Sequence, residues 1–154
     1  MKQPRHCSKV ISDNSTVSIV EMSNVELQRV FRVFIDNKEV GDITLDSWRS
    51  PFISFCGDGV FVWGGERAFR LRTDAIVEQF AVDEEISAIY PLPDNIILLC
   101  ELSVRVLRND FREVDRYSSN EVLLSGWWEG NVLHVPVWES KEINFTVEGR
   151  LKQM

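Results

Sequence analysis

Residues 86–117 read ISAIYPLPDNIILLCELSVRVLRNDFREVDRY, and this stretch decides the fold. An apolar run at Ile86–Tyr90 leads into a turn at Pro91–Asn95 and a second run at Ile96–Cys100. After a bend at Glu101–Ser103 come Val104–Arg108, a turn at Asn109-Asp110, and Arg112–Tyr117. Val104 and Val106 alternate with Arg105, the period-two signature of a half-buried strand. The run Ile96–Cys100 is continuously apolar, as a strand covered on both faces requires. Asp-Asn and Asp-Gly dipeptides supply residues that tolerate positive φ, which tight hairpins need. The stretch predicts four short antiparallel strands.

The same unit recurs along the chain. At an offset of 36, Gly57-Asp58-Gly59 meets Pro93-Asp94-Asn95, which meets Glu129-Gly130-Asn131. Each triplet precedes an apolar run: Val60-Phe-Val-Trp63, Ile96-Ile-Leu-Leu99, Val132-Leu-His-Val135. Leu71, Arg72 and Asp74 fall on Leu107, Arg108 and Asp110, while Glu85 falls on Glu121. An upstream copy matches Phe31–Asp36 to Phe69–Asp74 at an offset of 38. Self-similarity at such a period marks a repeat architecture. The expectation is an all-β fold of about four blade-like, four-stranded antiparallel units of ~36 residues, near 9–48, 49–85, 86–121 and 122–154, within a single domain 1–154. Glu26–Phe34 is the best helical candidate, yet its Val30, Phe31, Val33 and Phe34 read equally well as a strand.

The pattern Ile86-Ser-Ala-Ile89, Pro93-Asp-Asn95, Ile96–Leu99 and Ser103–Leu107 resembles the blade of WD-repeat-type β-propellers. It departs from that family in lacking a Gly-His start and a Trp-Asp ending. The resemblance implies a small or partial propeller; a β-sandwich is the alternative fold.

With 24 acidic residues against 17 basic ones, the chain carries a formal charge of −7. That argues against a nucleic-acid binder, whose affinity rests on cations set against phosphate, and against a polybasic membrane-surface protein. The first twenty residues hold no apolar run resembling a signal-peptide core, and no window approaches the ~18 apolar residues of a membrane span. Cys7, Cys56 and Cys100 are odd in number and widely spaced, which implies free thiols and a cytoplasmic location. The sequons at Asn14 and Asn144 are expected to be unused in that setting.

The chemistry-bearing residues form no recognisable catalytic set. His6 beside Cys7 reads as a terminal segment, and His134 as a hydrogen-bonded structural histidine on the face opposite Leu133 and Val135. Neither zinc nor EF-hand spacing occurs, and no helix follows Gly57 or Gly64-Gly65 to make a phosphate loop. No cofactor or metal is expected. Glu84 and Glu85 could be imagined as a glycosidase pair, although adjacent strand-end residues usually diverge.

Charge placement is more informative. Residues 75–101 contain six carboxylates and no Lys or Arg, and residues 118–139 repeat the pattern with Glu121, Glu129 and Glu139. In a four-stranded blade, the bend after strand two and the connection between blades emerge at the same end. Glu66, Glu101 and Glu139 fall at such bends; Asp46, Asp83, Glu84, Glu85 and Glu121 fall between blades. The turn acids Asp58, Asp74, Asp94 and Asp110 fall at the other end. Trp48, beside Asp46 and Arg49, suits either core packing or an interface anchor. Trp63 reads as core; in the Trp127-Trp128 pair, one indole is expected to cap the core and the other to be exposed.

An acidic rim of this kind attracts a cationic partner or simply keeps the protein soluble. In general character the chain resembles an immunity protein of a bacterial toxin–immunity pair. That resemblance implies a non-enzymatic inhibitor that covers a basic toxin, such as a nuclease, with carboxylates. Two alternatives stand beside it: a scaffold or self-assembling subunit pairing through open sheet edges, as a monomer or homodimer, and a small hydrolase using Glu84 or Glu85.

Overall fold

The computed structural model describes residues 7–11, 15–26, 28–57, 59–139 and 141–154. Every regular element among them is a strand. The sixteen strands form four four-stranded sheets, each an antiparallel meander in chain order. The first sheet is β1 (Cys7–Ile11), β2 (Thr16–Val25), β3 (Gln28–Ile35) and β4 (Lys38–Leu45). The second is β5 (Phe52–Cys56), β6 (Gly59–Gly64), β7 (Arg67–Arg72) and β8 (Val77–Ala81). The third is β9 (Ile86–Pro91), β10 (Ile96–Cys100), β11 (Ser103–Leu107) and β12 (Glu113–Ser118). The fourth is β13 (Trp127–Glu129), β14 (Val132–Val135), β15 (Ile143–Val147) and β16 (Leu151–Gln153). The ambiguous segment Glu26–Phe34 is therefore hairpin and strand: β2 and β3 pair from Val17↔Ile35 to Val25↔Gln28.

Contacts gather the chain into two compact units divided between Asp83 and Glu84, each holding two sheets. In the first unit Val17, Ile19, Phe31, Val33 and Ile43 meet Val60, Val62, Phe69 and Leu71 in one apolar cluster. In the second, Ile97, Leu99, Val104 and Val106 meet Leu133, Val135 and Phe145. Each such side chain contributes about 1.5–3 kcal/mol of apolar burial.

Burial along the strands explains their composition. In β6 and β10 every residue is buried, so both faces are covered and a continuous apolar run is the stable choice. β11 is buried throughout as well, where the alternation of Val104 and Val106 with Arg105 predicts a half-buried strand, because Glu84 pairs with Arg105 inside the fold. In β2, β3 and β14 buried and half-buried residues alternate, so one face alone is fully covered.

The 36-residue repeat is visible in backbone detail. Arg72 N donates to Ile76 O and Ala75 N to Arg72 O, while Ile76 N reaches the Asp74 carboxylate. One period later Arg108 N donates to Arg112 O, Phe111 N to Arg108 O, and Arg112 N to the Asp110 carboxylate. Ala75 and Phe111 both hold positive φ, 67° and 71°, a strain that the Asx-type hydrogen bond offsets. The β3–β4 hairpin turns on Asp36-Asn37, both at positive φ, as a two-residue hairpin of the favoured twist demands.

Candidate partner-binding surface

Because each sheet is a meander, the even-numbered strands all end at the same edge of their sheet. That edge carries the residues singled out in the sequence. In the first unit it holds the segment after β4 with Asp46 and Trp48, the β6–β7 turn with Glu66, and the segment after β8 with Asp83. In the second unit it holds Glu84 and Glu85 before β9, Glu101 in the β10–β11 turn, Glu121 after β12, and Glu139 after β14. Asp74, Asp94 and Asp110 lie at the opposite strand ends; Asp58 lies outside the described residues.

In the first unit, Arg29 fixes this edge. Its guanidinium is buried against Glu21, with Nε 2.8 Å from Oε1, and Nη1 donates to the carbonyls of Ser47 and Arg49. The loop is thereby held with Trp48 pointing away from the core, 77% exposed, under the Arg49 guanidinium. Of the two uses the sequence allows for Trp48, core packing is excluded. Asp46 faces Arg67 at 3.7 Å, so part of this acidic edge is already neutralised. Glu66 is exposed, and its carbonyl accepts from Val82 N.

In the second unit, backbone hydrogen bonds draw the connections into a continuous ribbon. Glu101 N donates to Glu85 O, Leu123 N to Glu101 O, Leu124 N to Pro136 O, and Trp138 N to Val122 O. Leu123 and Val137 face each other across this ribbon and are buried in the core. Successive residues of an extended chain alternate faces, so Val122, Leu124 and Trp138 point outward. Trp138 is 58% exposed, and Leu102, Val122 and Leu124 are between 37% and 41% exposed. Glu101, Glu121 and Glu139 are exposed around them. A depression of ≈ 610 Å³ adjoins the ribbon, lined by Tyr117, Glu121, Val137, Lys141, Glu142 and Ile143 among others.

Glu84 departs from the rim reading. Its Oε1 accepts from Leu102 N at 2.7 Å, and its Oε2 accepts from Ser103 Oγ at 3.0 Å and Arg105 Nη2 at 2.7 Å. Burial pushes this carboxyl up, but those three hydrogen bonds together hold it below the usual range. It is a charged group spent inside the fold, unsuited to act as a general acid, which removes half of the imagined Glu84–Glu85 pair. Both carboxylates precede β9, yet the Glu84 side chain turns onto the β10–β11 turn.

The apolar centre of the second unit's rim escaped the charge-based reading. Its signal was present: Val122-Leu-Leu124 is a three-residue apolar run, of which an extended chain can bury one face alone. The Trp127-Trp128 pair divides as its alternation implies. Trp128 packs edge-on against Tyr90 in the core, whereas Trp127 is exposed and stacks on His134. His134 is held at 2.9 Å from Glu142 and 3.1 Å from Glu129.

No protein-family model matches the chain, and no curated protein matches it. Solved structures do. BamB from Moraxella catarrhalis superposes with a TM-score of 0.64 at 11% identity, over 92% of this chain and 44% of that one. The N-terminal domain of Nup159 gives 0.60 at 10% identity, over 90% of this chain and 40% of that one. HIRA(644-1017) gives 0.58 at 12% identity, over 98% and 56%. The chain thus spans about half the length of the propeller-like structures it resembles, and at these identities the likeness establishes the fold: β-propeller-type blades.

Proposed function

We propose that this chain is a non-enzymatic binding domain that engages a basic protein through the acidic strand-end rim. In its fullest form the proposal is an immunity-type inhibitor that neutralises a cationic toxin, such as a nuclease, in the cytoplasm. The observation that carries it is the backbone ribbon gathering Glu101, Glu121 and Glu139 at one edge of the second unit. These carboxylates sit on a preorganised framework, so little ordering entropy is lost when a partner docks. Their field accelerates encounter with a cation and disfavours acidic competitors. The surplus of acidic over basic residues, 24 against 17, supports the same reading.

The test is a panel of purified basic ribonucleases and deoxyribonucleases assayed with and without the chain. Inhibition of a panel member, weakened by salt and abolished by the combined Glu101→Lys, Glu121→Lys and Glu139→Lys substitutions in the second unit, is the expected result. Glu84 is left in place because reversing it would break the fold. Inhibition unmoved by the three reversals, or binding to no basic protein, would overturn the proposal.

A further inference from the structure

We infer that the partner seats an apolar side chain on Trp138, flanked by lysines or arginines that face Glu101 and Glu139. This rests on the binding reading above and adds an anchor that charge alone does not supply. Trp138 is the most exposed large aromatic among the described residues of the second unit, and the backbone leading into it is fixed: Trp138 N donates to Val122 O, and Val137 is sunk into the core. Val122, across the ribbon from Trp138, and Leu124, across from Pro136, extend the exposed apolar surface, and Leu102 adds to it in the neighbouring turn. An indole held this way, with smaller apolar groups around it to exclude water, has the composition of an interface hot spot. Contiguous apolar surface rimmed by polar groups marks an interaction site.

The surrounding charge selects the occupant. Between residues 118 and 139 there is no Lys or Arg, and Glu139 adjoins Trp138, so an uncharged apolar guest would strip water from that carboxylate with no compensating charge. A guest that brings cations next to its apolar anchor meets both demands. The depression beside the ribbon has Lys141 as well as Glu121 and Glu142 in its wall, and Glu142 is already held by His134, so the guest's cations are directed to Glu101 and Glu139.

The probe is a random dodecapeptide library displayed on phage and selected on the immobilised full chain. The expected enrichment is of peptides with an aromatic or large aliphatic residue next to Lys or Arg. Trp138→Ala should weaken the selected peptide at least about tenfold, with circular dichroism unchanged because the indole is outside the core. Leu124→Ser should weaken it to a smaller degree. Cationic peptides that bind equally to Trp138→Ala but lose affinity on the three reversals would overturn the anchor and leave the acidic rim standing. Enriched peptides without basic residues, or no enrichment, would overturn both.

Discussion

Arg105 Nη2 lies 2.7 Å from Glu84 Oε2, joining the segment that precedes β9 to the middle of β11 in a pair only 5% and 16% exposed. Glu84 Oε1 at the same time takes the Leu102 amide, so one carboxylate closes the β10–β11 turn and neutralises a buried guanidinium. Glu84→Gln removes the guanidinium's 2.7 Å carboxylate partner, with Glu113 at 3.7 Å still in reach, at a cost of about 1–3 kcal/mol. Asp94→Asn, on an exposed turn, should stay within about 0.5 kcal/mol. Urea denaturation of the two variants measures the contrast, and equal midpoints would contradict it.

The same pairing sets a pH dependence. The Arg70 hydrogen bond holds the Glu78 carboxyl down, and hydrogen bonds outweigh burial to hold Glu84 down, both below the reference value of 4.5. A depressed folded-state value means stability that is fully present above the unfolded value and is lost as pH falls through the folded one. Unfolding free energy should therefore be flat down to about pH 4.5 and drop below it. Glu84→Gln should drop less steeply. Parallel acid profiles for wild type and variant would contradict the sign.

Burial pushes the Cys100 thiol up to about 12, so almost no thiolate exists at neutral pH. Cys56 is half-buried at the end of β5. Alkylation of the native protein followed by peptide mass mapping should mark Cys56 well before Cys100, which reacts once denaturant is added. Labelling of both at similar rates would show that β10 opens readily.

The outer faces of the first and fourth sheets bear on self-assembly. In the first sheet one face carries Arg32 in ion pairs with Asp42 at 2.9 Å and Glu39 at 3.2 Å, all well exposed. In the fourth, Trp127, His134 and Asn144 form a half-exposed cross-strand row. Packing another blade on either of these faces would desolvate these groups. The chain should run as a monomer at micromolar concentration by light scattering; a dilution-resistant dimer would instead support the self-assembling subunit.

Much of this architecture was legible beforehand because the repeat is local: Leu71, Arg72 and Asp74 against Leu107, Arg108 and Asp110 announce turns that prove to share the same hydrogen bonds. Strand alternation likewise placed Leu133 and Val135 inward and His134 outward. Glu84 was misplaced because the distinction between a rim carboxylate and a buried pair depends on Arg105, 21 residues away, and on side-chain direction. Trp138 was missed because its exposure follows from the Leu123–Val137 bridge, a pairing between two connecting segments that carry no strand periodicity of their own.

The central claim, that the ribbon at the strand ends is the binding surface, is tested most directly by hydroxyl-radical footprinting of the chain with a basic nuclease that it inhibits. Trp138, Leu102 and Leu124 should lose reactivity in the complex while Trp127, on the outer face of the fourth sheet, keeps it. Undiminished oxidation of Trp138 together with protection of Trp127 would place the partner elsewhere and contradict the account.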